Sequence, residues 1–144
     1  MPNLSALPWW IFALLSAIFA ALTTILVKLG VEQVSSTLAT AIRTVVVLGM
    51  AWLIVVSRGE LAQLSQLTAR TWWLLGLSGV ATGLSWLAYF RALQLGPTAY
   101  VAALDKSSTV LIALLAWLVL HEATDWRGAF GLGLIVAGTL VLIR

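Results

Sequence analysis

Cysteine is absent from this chain and histidine occurs once, at His121. The first absence excludes disulfides and thiol chemistry, and removes any clue to redox compartment. The second leaves His121 short of the fuller ligand set that zinc requires. Charge is scarce too, at 9% of residues, against the roughly 25% of an ordinary soluble domain. The net charge of +3 is dispersed over loops and helix ends, so no basic patch offers itself to nucleic acid. No nucleophile sits beside a base, and no metal or cofactor constellation is visible, which argues against an enzyme.

What the chain does have is apolar length. Hydrophobic residues make up 62% of it and its mean hydropathy is +1.06, well above a soluble composition. Five long apolar runs stand at 9–27, 38–56, 72–90, 98–120 and 126–143. Each approaches or reaches the roughly 20 residues that cross a bilayer core as a helix. Lipid supplies no backbone partners, so each run must be helical. Trp9, Trp10, Trp72, Trp73 and Trp126 stand at run ends, where amphipathic rings favour the headgroup layer. The first run lacks the basic leader and short core of a cleavable signal peptide. The expected fold is an all-α integral membrane protein, a five-transmembrane-helix bundle of one domain over 1–144 in contact with membrane lipid. An odd number of spans places the two ends on opposite sides, and two such units joined would be inverted repeats.

Connections are short. The longest, 57–71, carries Leu61, Leu64 and Leu67 at three-residue spacing, which fits an interfacial helical turn or a solvated loop. Pro97 suits the first position of the fourth helix. If the N-terminal side is A, its loops hold Arg58, Arg70 and Arg127, while side B holds Lys28, Arg91 and Arg144. Adding the intramembrane Arg43 and Lys106 makes five against three in favour of side B. That balance fits dual topology and a weakly determined single orientation alike.

Charges within the apolar runs draw most notice. Arg43 falls about 8 Å into the second run and Asp105 about 10 Å into the fourth, at helical rise. On a continuous helix Lys106 would be rotated by about 100° from Asp105, with Thr98, Ser108 and Thr109 near the Asp105 face. An ionised side chain at a span centre costs about 2.5–3.5 kcal/mol on insertion scales, so it normally faces a partner or water. One reading is a polar cavity open to side B that binds substrate or protons through Asp105, Lys106, Arg43 and Arg91. The other is a clasp of Asp105 with Arg43 or Arg91, with Lys28 and Lys106 snorkelling to headgroups. Thr82, Trp86 and Tyr89 share a face of the third helix and either line that cavity or pack. His121 and Glu122 read as an interfacial pair. Gly79 and Gly83, with Ala129, Gly133 and Ala137, form small-residue faces suited to dimer packing.

The stretch Ala92-Leu93-Gln94-Leu95-Gly96-Pro97-Thr98, the exit His121-Glu122, and Gly131-x-x-Leu134-Ile135-x-x-Gly138 together resemble the EamA-like branch of the drug/metabolite transporter superfamily. Glu122 and Arg43 stand where that family has a glutamate and often an arginine; Asp105-Lys106 departs from its general pattern. The resemblance spans essentially the whole chain as a single five-helix unit. It implies a secondary transporter, an exporter, of a small metabolite or drug in a bacterial inner membrane. A single unit should pair, as a homodimer (antiparallel in one arrangement) or as a heterodimer with a paralogue, and work by alternating access. The alternative is a non-transporting membrane subunit or half of a heterodimeric transporter. Small multidrug resistance proteins carry a carboxylate in their first helix. Here the first span offers only Ser16, Thr23 and Thr24 as polar residues. An anionic or zwitterionic substrate fits that difference better than a lipophilic cation. An antiparallel homodimer predicts that Asn3→Cys, in a chain without native cysteine, is labelled from both sides of intact cells. Labelling from one side alone would establish a single orientation.

Overall fold

The computed structural model describes residues 8–31 and 33–143, so Asn3 and Arg144 lie outside the described residues. Every regular element among the described residues is helical: α1 (Trp9–Gly30), α2 (Ser36–Ser57), a 3-10 helix (Glu60–Gln66), α3 (Ala69–Leu95), α4 (Thr98–Asp105), α5 (Ser108–Leu115), a π-helical turn (Ala116–Leu120) and α6 (Trp126–Ile143). Four stretches are long and apolar enough to cross a membrane: Trp9–Gly30, Ser36–Ser57, Ala69–Leu95 and Thr98–Leu120. The fifth apolar helix, Trp126–Leu142, is shorter. The first three extend beyond the predicted spans because polar caps and turns, rather than the loss of hydropathy, end them.

Those caps repeat one device. Ser35 accepts from the Leu38 amide at 3.2 Å, Thr68 from the Thr71 amide at 3.2 Å, and Asp125 from the Gly128 amide at 2.8 Å. Each side-chain oxygen satisfies an amide of the first turn, which has no intrahelical partner. At α6 the fit is tight, since a Cβ on Gly128 would stand 2.6 Å from the Thr124 methyl. Pro97 occupies the cap itself, one residue before α4, rather than the first helical position expected for it.

The 57–71 connection resolves in favour of a helical turn. Gly59 enters it in the left-handed region at φ 68°, which glycine adopts without Cβ conflict. A 3-10 helix repeats every three residues, so the spacing of Leu61, Leu64 and Leu67 puts them along one side. Leu64 and Leu67 face Trp52 and Val55 of α2 across a cavity. At the far end of the fourth span the π turn closes with His121 at φ 57° and with the Glu122 amide donating to Ala116 O at 3.2 Å. His121 and Glu122 are both exposed and make no ion pair with each other, so the expected pairing does not form.

Two contact units are present, Ile25–Gln94 on one hand and Met1–Thr24 with Leu95–Arg144 on the other. In the first, Val31, Phe90 and Leu93 are buried along with Thr40, whose hydroxyl donates back to Ser36 O at 2.8 Å. Gln94 staples the α1–α2 connection: its Nε2 donates to Val31 O at 3.1 Å and to Val34 O at 2.7 Å. In the second unit α6 lies against α4 and α5, and Thr139 is its buried polar residue at 6% exposure. No more than 6% of any spanning window is buried within the chain, so lipid or another protein must cover these apolar surfaces. Gln94→Leu is expected to destabilise the protein by about 1–3 kcal/mol, because two carbonyls lose their donor. Thermal unfolding in micelles, compared with wild type, measures this directly.

Candidate functional site

Arg43 is placed by α2 roughly 10 Å from that helix's start, at helical rise. Its guanidinium carbon lies 4.2 Å from the centroid of the Trp86 ring and 5.5 Å from that of Phe90. Trp86 and Phe90 are four residues apart on α3 and so share a face. Stacking a cation on ring faces is worth about 0.5–2 kcal/mol, increasing as water is removed. The guanidinium carries five N–H donors, and among the described residues no acceptor bonds them. Glu60, the one described carboxylate of Ile25–Gln94, is paired with Arg58 at 3.9 Å. A cavity of about 220 Å³ opens beside Arg43, with Val27, Val31, Val34, Ile42 and Phe90 among its walls.

The neighbouring polar groups are tied to backbone and to one another. Lys28 Nζ donates to Leu93 O at 2.5 Å, so this cation is held by α3 rather than snorkelling to headgroups. The exposed Arg91 donates from Nη1 to Gln94 Oε1 at 3.3 Å. Tyr89 places its ring 6.5 Å from Phe90, and Thr82 turns its hydroxyl back to Ser78 O at 2.9 Å. Of the predicted site residues, the structure therefore brings Arg43 and Trp86 into contact. Tyr89 adjoins them through Phe90, while Arg91 is bonded to Gln94.

Asp105 and Lys106 stand at a different feature. The fourth span is not the continuous helix expected from its hydropathy: α4 ends at Asp105 and α5 begins at Ser108. Through the break the amides of Lys106, Ser107, Thr109 and Val110 donate to Ala103, Leu104, Lys106 and Ser107 at 3.0–3.2 Å. These are three-residue bonds in place of four-residue ones, so the backbone tightens locally. Two hydroxyls reinforce it, Ser107 Oγ donating to Leu104 O at 2.6 Å and Thr109 Oγ1 to Lys106 O at 2.7 Å. Such back-bonding by Ser and Thr competes with helical continuity. The Thr109 amide, drawn to Lys106 O, no longer serves the Asp105 carbonyl. Asp105 and Lys106 are exposed. Lys106 keeps right-handed helical dihedrals through the turn, at φ −67° and ψ −14°, so at three residues per turn it stands about 120° round from Asp105, close to the expected offset. Thr139 Oγ1 anchors this region from α6, 2.8 Å from Ile135 O and 3.3 Å from Ala103 O.

Sequence reasoning missed Phe90, Gln94, Ser107 and Thr139. Phe90 was accessible through its four-residue spacing from Trp86. The run Ser107-Ser108-Thr109 after a charged pair was the available sign of a break. The small-residue faces are unoccupied by the chain itself: a Cβ on Gly79, Gly83 or Gly133 would meet nothing within 4 Å. Ala129 and Ala137 are exposed.

Apolar helices of spanning length, an arginine against an aromatic pair with no carboxylate partner among the described residues, and a span interrupted at its charges define a multi-pass membrane protein with polar features inside its helices. Residues 7–144 match the EamA-like transporter family, and the chain belongs to that family. It is 50% identical over 134 residues to an "Uncharacterized transporter in cobO 3'region" of Sinorhizobium sp, covering 93% of this chain and 95% of that protein. No solved structure matches. The interruption predicts faster amide hydrogen exchange at 105–109 than in the flanking turns of α4 and α5, because three-residue bonds are weaker. Uniform protection across 98–120 would mean that the helix is continuous.

Proposed function

We propose that this chain is a secondary transporter of a small metabolite or drug, built as one five-span unit that works as a dimer by alternating access. The observation that carries the reading is the break in the fourth span at Asp105–Ser107. Transporters place substrate and coupling-ion sites near the bilayer midplane, where discontinuous helices free backbone groups. Irregular backbone at that depth is tolerated where protein or a water-filled cavity surrounds it. Here the break coincides with two ionisable side chains, and Asp105 is the residue suited to bind and release a coupling proton. Arg43 and Trp86 form the substrate-facing element, with Arg91 and Tyr89 beside it.

Dimerisation is supported by the open faces at Gly79, Gly83 and Gly133, which allow close backbone approach by a second protein. A five-span unit pairs most simply with an inverted copy of itself, which supplies the two-fold pathway of larger transporters. A paralogue of opposite orientation would serve equally. The family and the bacterial relative support a bacterial inner membrane, and the similarity to drug/metabolite transporters supports export. Asp105→Asn is expected to abolish efflux from membrane vesicles, or its pH dependence, while membrane insertion stays intact. Efflux with a normal pH profile in that variant would remove Asp105 from the mechanism.

A further inference from the structure

We propose that the cavity beside Arg43 binds a short, apolar monocarboxylate, with the carboxylate on the guanidinium edge and the hydrocarbon body against Val31, Val34 and Ile42. This deepens the transport reading by naming a substrate class for the Arg43–Trp86 element. It rests on three observations.

The first is geometry. The guanidinium carbon lies 4.2 Å from the Trp86 ring centroid, and among the described residues no acceptor bonds its N–H donors, the groups that make planar two-point contact with a carboxylate. Contact with the ring restricts the guanidinium in advance, so less freedom is lost when an anion docks. The second is size. An apolar cavity of about 150 Å³ accommodates benzene, so a cavity of about 220 Å³ accommodates roughly nine non-hydrogen atoms on the same scale. That is the size of a six-carbon acid.

The third is charge. Among the described residues of the cavity wall, Arg43 is the charged one and none is a carboxylate. One positive charge matches a monoanion. A phosphate dianion would be left with half its charge unpaired in an apolar surround, at high cost. The ammonium of an amino acid would lack a counter-charge among the described residues of the wall. The cavity therefore narrows the anionic-or-zwitterionic expectation to the plain acid.

Hexanoate is the probe, titrated by calorimetry into the full chain in phosphatidylcholine nanodiscs, with empty nanodiscs as the blank. Hexanoate should bind saturably. Hexanamide, its neutral counterpart, and norleucine, the same acid with an added ammonium, should each bind about 10- to 100-fold more weakly, the weight of a hydrogen bond to a charged group. Arg43→Gln should bring hexanoate down to the level of hexanamide. Gly30→Leu is the second variant: Gly30 lines the cavity and a Cβ there meets nothing within 4 Å. A leucine side chain there takes up cavity volume from a position where its Cβ meets no neighbour, and should remove hexanoate binding in a folded protein. Equal binding of acid and amide, or wild-type affinity in Gly30→Leu, would overturn the proposal. So would loss of hexanoate binding in phosphatidylglycerol nanodiscs, which would assign Arg43 to an anionic headgroup. Hexanoate binding without flux of any solute would leave this site standing and remove the transport reading. Flux without hexanoate binding would remove this site alone.

Discussion

A bilayer core offers no partner for a backbone amide or carbonyl, and that constraint shapes every part of this chain. It forces the apolar runs into helices and decides where polar side chains turn. Ser35, Thr68 and Asp125 point their oxygens at the first-turn amides of α2, α3 and α6. Thr40, Thr44 and Thr82 return their hydroxyls to carbonyls one turn back. Gln94 donates its amide to two carbonyls of the connection between α1 and α2. Few polar side chains are spare, and those whose donors or charges are not absorbed by backbone stand out.

Arg43 is the clearest of these. The surroundings supply ring faces in place of a counter-ion, which stabilises the charge without neutralising it. A carboxylate in the same position would have made a closed pair, costly to desolvate and inert once formed. Cation–π contact holds the guanidinium against Trp86 and Phe90 while no described acceptor takes its N–H donors. Lys28 shows the contrasting arrangement, with its ammonium held on the Leu93 carbonyl.

Much of this was legible in residue order. Hydropathy alone located the spanning helices, because a run of about twenty apolar residues has one stable solution in lipid. The three-residue spacing of Leu61, Leu64 and Leu67 was already a 3-10 period. Arg43 and Trp86 were each legible, one as a charge in an apolar run and the other by its helical spacing. Their contact was not, because facing between two helices depends on rotation about each axis, which apolar residues on all sides leave undetermined. The break at Lys106–Ser107 escaped because hydropathy averages across it, while local competition from Ser107 and Thr109 hydroxyls sets the hydrogen bonds.

The break in the fourth span also divides its electrostatics. An uninterrupted helix concentrates its peptide dipole at two ends near the headgroups, where water and salt weaken it. Two short helices instead meet partway along the span, so the carbonyl end of α4 and the amide end of α5 bring opposite partial charges together where dielectric screening is poor. Asp105 and Lys106 sit at that junction of opposed poles. Any tilt of one half-helix against the other would alter that local potential while every residue kept its protonation state.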